Sequence, residues 1–365
     1  MRQADYSSGK FSGKDALQNL TSLTNGYMLS SILFAAVDLK IFDIVKEQPR
    51  SALEISRIAG CANDGAMQRL LLVLVNLGLI DTGPGGVFCA TEVAREFLVA
   101  DATSSIVAGV QHHHRHSYIP FRYLGDAIRS GKPQLSRDGK GSTDKEDLYE
   151  SLASSAGEYE IFMRAMNSFS VGVGERMVQL VAFPAEPRIY DIGGGGGQVS
   201  QELASKLPDA RVTLFDRKEA LDYAKKYLAK QQSGDRLECV EADMFSLEVF
   251  PKADVVVLSA VLGDWDEAKR RVIVENAWSQ LKPGGKMLIS ETLLDEDRRG
   301  PSSAILLSLY VLLLTQGGHN FTPTEWQDFL GTAGINEVAF IHDHDNGYRD
   351  LIVCTKPLEQ VSVLR

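Results

Sequence analysis

Apolar residues recur at helical spacing through the first half of the chain, then give way to short apolar runs separated by glycine, proline and acidic residues. Between Leu17 and Val45 the positions Leu20, Leu23, Met28, Leu29, Ile32, Leu33, Ala36, Leu39 and Phe42 predict helices that are apolar around much of their circumference. One small domain cannot bury that much helix surface, so a partner chain is expected, most simply a second copy. Residues 51–92 predict helix, turn, helix and hairpin. Ser51 stands as N-cap of the first helix, and Asn63-Asp64 open the second, with apolar face Met67, Leu70, Leu71, Leu74 and Leu77. Two short strands around Gly83-Pro84-Gly85-Gly86 complete a winged helix-turn-helix outline. Helical spacing returns from Ala94 to Ile128 and includes His112, His113, His114 and His116. A polar loop at 130–146 and helices over Leu148–Val181 follow. The expected division is an N-terminal unit of residues 1–175 and a C-terminal unit of 176–365, with the boundary inside 170–185.

From residue 188 onward strands and helices alternate, with strands predicted at 188–192, 211–215, 237–241, 253–259 and 286–292. This predicts an α/β fold, a doubly wound sheet of parallel strands with helices on both faces. Two late apolar segments, 336–342 and 350–355, flank HDHDNGYRD and predict a hairpin at the sheet edge.

The first of these strands runs into five glycines, Gly193–Gly197, and then a helix from Gln198. Without Cβ atoms the backbone can approach a ligand closely, and the helix start points free N–H groups at it. Asp216 ends the next strand at the distance where an acidic residue meets a ribose diol. Loop and aspartate together predict a nucleotide or nucleoside site. No lysine stands at 193–200, so a phosphate-free group such as the adenosine of S-adenosylmethionine fits better than ATP. Ligands in such sheets bind over the carboxyl ends of the strands. The cofactor candidates there are Asp191, Gly193, Gly195, Asp216, Arg217, Asp243, Met244, Ser259 and Trp265.

Charge narrows the partners. A net charge of −10, with a second winged-helix helix whose only basic residue is Arg69, argues against nucleic acid. The four cysteines are scattered without CxxC spacing, which suits a reducing compartment and no zinc ribbon. The first fifteen residues are polar and the apolar run Ile305–Leu314 is too short to span a bilayer, so the expectation is a cytoplasmic protein without a membrane partner.

The ordered set YDIGGGGG, LFD, EADMF, LSAVLGDWDE and LKPGGKMLISE resembles the two-domain S-adenosylmethionine-dependent O-methyltransferases, those similar to caffeate and hydroxyindole O-methyltransferases and to bacterial natural-product enzymes. The resemblance covers nearly the whole chain. It implies a winged-helix dimerisation domain before a Rossmann-like catalytic domain, an intertwined homodimer, and a small, often aromatic substrate, with Phe162 and Met166 among the substrate-binding positions. It breaks at the catalytic residues. Gly263 stands where the family has its histidine base, and Asn320 where it has the second of two acids, the first matching Glu291. Glycine cannot take a proton.

Four readings follow. A replacement base comes from the histidine cluster, where His113 and His116 are three apart and share a helical face. Alternatively the acceptor is an activated carbon that needs no base. In the third the methyl is not transferred, and the protein is a cyclase, hydroxylase or decarboxylase. In the fourth it is a ligand-sensing DNA-binding regulator. Two imidazoles with Glu291 also raise a metal site, but no further carboxylate is in register, and the expectation is no metal. Plainer roles stand beside these: a solvated face for the histidines, core for Met166 and Trp265, helix caps for Asp264 and Asp266.

Overall fold

The computed structural model describes residues 16–135, 148–153, 155–231 and 234–358. It separates into two compact units that meet in sequence at Ile119 and Pro120.

In the N-terminal unit the helix Ala16–Asp38 buries only Phe34, Ala36 and Val37. Leu17, Leu20, Leu23, Tyr27, Met28 and Leu29 are exposed, as the all-round apolar pattern predicts. By length and composition it is the one described helix apolar enough to cross a membrane. The winged helix is present: helices Ala52–Ile58 and Asp64–Asn76, then strands β1 (Arg50–Ser51), β2 (Ile80–Gly83) and β3 (Val87–Ala90) in order β1-β3-β2. Both expected caps form. Ser51 and Glu54 exchange a reciprocal capping box, and Asn63 accepts from the Ala66 N–H at 2.9 Å. Phe42, Ile55, Leu71, Leu74, Ile80 and Phe88 make the core.

The C-terminal unit is built on a seven-stranded sheet. Its strands are β4 (Arg188–Ile192), β5 (Arg211–Asp216), β6 (Leu237–Glu241), β7 (Ala253–Ser259), β8 (Leu281–Glu291), β9 (Val338–Ile341) and β10 (Asp350–Thr355), in order β6-β5-β4-β7-β8-β10-β9. Successive residues of β7 feed opposite faces, as strand geometry requires. Val256 and Leu258 pack with Ile273, Val274 and Trp326; Val255 and Val257 pack with Met177, Val199 and Leu203.

The expected edge hairpin is present: β10 runs antiparallel to both β8 and β9, and β9 is the edge, so the sheet is parallel from β6 to β8 and closes on an antiparallel pair. Residues 342–349 are too few for the crossover a parallel pair requires. One expectation needs correction: the boundary falls about fifty residues earlier than 170–185. Helices Leu124–Ser130, Leu148–Ala153 and Ala156–Phe169 bury Ala127, Leu152, Tyr159, Phe162 and Met163 against Ala220, Leu313 and Leu314, all of the C-terminal unit. The prolines before β4 mark a loop inside that unit.

Candidate active site

The glycine loop is held from both sides. Gly193, Gly195 and Gly197 adopt φ of +72°, +56° and +86°, a region open mainly to glycine. Beneath it Asp191 is fully buried; Ser200 Oγ donates to its Oδ2 at 2.6 Å, and its Oδ1 has no hydrogen-bond partner. Burial first, then the nearby Asp216, pushes the Asp191 carboxyl up to about 6. From the helix Ala156–Phe169, buried Asn167 donates to the Gly196 carbonyl at 3.2 Å. Above Gly195 the space is open to beyond 4 Å.

The Asp216 carboxylate closes the loop, Oδ2 accepting from the Gly195 N–H at 2.8 Å and Oδ1 from the Arg217 N–H at 2.7 Å. Burial raises its pKa and those two N–H groups oppose the rise. Each oxygen keeps a second lone pair for a diol. Asp243 folds back on its own turn, accepting from the Phe245 N–H at 2.9 Å and the Ser246 hydroxyl at 3.1 Å. Met244 is half-buried, and Phe245 meets Trp265 edge to face at 4.9 Å. Tyr149 stacks on Trp265 at 6.0 Å, lies 5.6 Å from the Arg217 guanidinium and donates to Asp264 at 2.5 Å. An aromatic and charged wall therefore links the ends of β5, β6 and β7. Ser259 accepts from Arg349 at 3.1 Å. Of the two expected caps, Asp266 caps its helix by accepting from the Lys269 N–H at 2.9 Å, whereas Asp264 is engaged by Tyr149.

Next to this wall stands Gly263. Glu291 is buried, and its Oε1 accepts from the N–H groups of Val261, Leu262 and Gly263 at 3.1, 2.9 and 3.2 Å. Burial raises its pKa; Arg349, the Gly263 N–H and Arg270 pull it back down. Arg270 is fully buried and fastens the same loop, donating to the carbonyls of Leu262 (3.0 Å), Trp265 (3.3 Å) and His319 (2.9 Å) while its guanidinium lies 4.1 Å from the Phe321 ring centre. Asn320 is buried and donates to the Thr292 carbonyl at 2.7 Å, so its amide is a backbone fastener. Phe162 is buried core and Met166 half-buried at the edge of the same cluster.

The histidine expectation is corrected in part. Residues 113–117 form a π-helical turn, which widens the helix and aligns positions four apart. His112 and His116 are buried with their Nδ1 atoms 3.0 Å apart, whereas exposed His113 faces Ser117 Oγ at 3.3 Å. His113 and His116 thus point to different sides. They belong to the N-terminal unit, and Glu291 to the C-terminal one.

Four residues of this site escaped the sequence reading: Asn167, Tyr149, Arg270 and Arg349. Arg270 left a signal, since it shares a helical stripe with Ile273, Val274 and Ala277, all buried.

The O-methyltransferase domain model matches residues 121–336 and the O-methyltransferase dimerisation domain model residues 21–100. The chain belongs to the O-methyltransferase family. The methyltransferase is 33% identical to acetylserotonin O-methyltransferase of Macaca mulatta over 334 residues, 90% of this chain and 95% of that one. It is 32% identical to the Homo sapiens protein over 89% and 94%. The crystal structure of human N-acetylserotonin methyltransferase in complex with SAM superposes with a TM-score of 0.85 at 30% identity, covering 95% of this chain and 99% of that one. The structure of PigF with SAH shares the fold, with a TM-score of 0.84 at 24% identity and 93% and 99% coverage. The methyltransferase uses S-adenosylmethionine, and its N-terminal unit is the family's dimerisation domain. Its own residues fit that cofactor: open space over Gly195, spare lone pairs on Asp216, and an orphaned buried oxygen on Asp191.

Proposed function

We propose that the methyltransferase alkylates a small aromatic secondary metabolite at a carbon or oxygen that is nucleophilic without an imidazole base, as a homodimer in a reducing cytoplasm. The observation that carries this reading is the Glu291 carboxylate. Its Oε1 is spent on three backbone N–H groups beneath a residue that has no side chain. An acid that would orient a histidine has none to orient, and Asn320 is tied to a carbonyl. The relatives support the substrate class, since acetylserotonin, in the name of the Macaca mulatta and Homo sapiens proteins, is a hydroxyindole.

Roles follow from position. The glycine loop and Asp216 hold the ribose; Asp243, Met244 and the Phe245–Trp265 pair flank the adenine; Ser259, fixed by Arg349, faces the same end of the sheet. When bound, S-adenosylmethionine supplies an electrophilic methyl group. The protein's share is to align the acceptor in line with it and to exclude water, which can supply much of the barrier reduction. An acceptor already ionised, or an electron-rich ring carbon, asks for nothing more.

The test is a rate profile with phenol and naphthol acceptors of graded acidity, following S-adenosylhomocysteine and product together. The expected result is a rate that follows the acceptor's own ionisation. A rate that follows a protein group near the histidine range would contradict the proposal. Glycine at 263 and asparagine at 320, in place of the family's histidine and acid, also favour a second reading, a non-methylating cyclase, hydroxylase or decarboxylase. Product without stoichiometric S-adenosylhomocysteine would select it.

A further inference from the structure

Between β9 and β10 the chain places two imidazoles against one buried carboxylate. We propose that His342, His344 and Asp350 form a binding site for a borderline divalent transition ion, zinc foremost. Among the described residues this is the one group of three whose donor atoms, one from each, all lie within 4.8 Å of one another. His344 Nδ1 is 2.8 Å and His342 Nδ1 is 3.9 Å from Asp350 Oδ1. Ligands about 2.0–2.2 Å from a tetrahedral ion stand roughly 3.3–3.6 Å apart, so these separations bracket the need.

The surroundings are those of a built site. Asp350 is fully buried, and its carboxylate is held by backbone: Oδ1 by the N–H groups of Asp343 (2.8 Å) and His344 (3.2 Å), Oδ2 by that of Leu293 (3.2 Å). Such outer contacts fix a ligand's orientation before the ion arrives. His342 is exposed, so the ion has an entry path. Two imidazoles and a carboxylate select zinc and its first-row neighbours over calcium or magnesium, and leave one position for water. The ion takes the place of the proton between His344 Nδ1 and Asp350 Oδ1, and that proton leaves to solvent. The clip would close the β9–β10 hairpin beside Arg349, the residue that holds Ser259.

Calorimetric titration of the tag-free, cofactor-loaded dimer with zinc chloride tests this. One zinc per chain at micromolar affinity is expected, with a heat that depends on the buffer's ionisation enthalpy. His342→Ala should weaken binding by at least ~10–100-fold, the range seen even when second-layer contacts are lost. That side chain is exposed and touches the fold through its approach to Asp350 and an edge-to-face contact with the His344 ring at 5.8 Å, so the variant should keep nearly the same unfolding temperature without zinc. Zinc should raise the unfolding temperature of wild type and not of His342→Ala. His113→Ala, in the other histidine cluster, should bind zinc like wild type. No binding at micromolar zinc, equal binding by His342→Ala, or loss confined to His113→Ala overturns the proposal.

Discussion

The Glu291 carboxylate lies under Gly263, taking its N–H at 3.2 Å, and a Cβ built on that glycine would stand 3.3 Å from Oε2. A side chain there is tight and still possible, because the glycine does not occupy the left-handed region. Gly263→Ala should therefore fold, with a destabilisation of about 1 kcal/mol or less, read from denaturant midpoints. Gly263→His should fold too and leave turnover of the natural acceptor within about tenfold. A rise of ~10²–10⁴, the usual worth of a general base, would mean that the acceptor does need one.

Asp216→Ala should weaken S-adenosylmethionine and S-adenosylhomocysteine alike, because a ribose contact is blind to the methyl group. Each hydrogen bond to a charged acceptor is worth about 1.5–3 kcal/mol, so calorimetry should show a loss of roughly ten- to hundredfold. The variant also frees the Gly195 N–H, which loosens the loop. Unchanged affinity would remove Asp216 from the site.

Much of this was legible in the sequence, and the failures have physical causes. Strand and helix order read well because short apolar stretches such as Val255–Leu258 and Met287–Ile289 mark the central strands, and the Asp216 spacing is fixed by one helix between two strands. The domain boundary did not, since helices such as Ala156–Phe169 look alike whichever core they face. His113 and His116 were placed on one face by α-helical spacing, and a π turn is invisible in a residue pattern. Tyr149 meets Asp264 across 115 positions of chain, a distance no local signal spans.

Arg270 spans three carbonyls on two loops, and a shorter or uncharged side chain leaves them buried and unpaired. Arg270→Met should cost about 3 kcal/mol, measured by chemical denaturation. Arg270→Lys should recover little, because an ammonium cannot reproduce the planar fork. Recovery of full stability with lysine would show that charge alone matters there.

Exposed Leu20, Leu23 and Met28 on the first helix predict a dimer in light scattering. Leu20→Asp with Leu23→Asp should give monomers or aggregates at micromolar concentration. An undisturbed dimer would move the interface elsewhere.

Acid should loosen the N-terminal unit. Burial first, then His116 and His113 beside it, holds His112 down to about 3, against an ordinary value of 6.5. The folded state therefore refuses a proton that the unfolded state accepts. The contribution is present above pH 6.5 and is lost as the pH falls towards 3. Hydrogen exchange over residues 107–117 should speed up across that window after correction for intrinsic rates, and less so in His112→Phe. An unchanged profile in the variant would assign the acid sensitivity to another group.

Asn167 occupies the place a side chain at position 196 would take: a Cβ on Gly196 would fall 2.3 Å from its Oδ1. The two positions thus behave as a single heritable unit. Any lineage of this protein that replaces the fourth glycine of the run must turn the Asn167 side chain away or shrink it at the same step. It would then have to find another donor for the carbonyl that Asn167 now holds. A run of five identical residues, which reads as slack, is at this point a lock cut for one key.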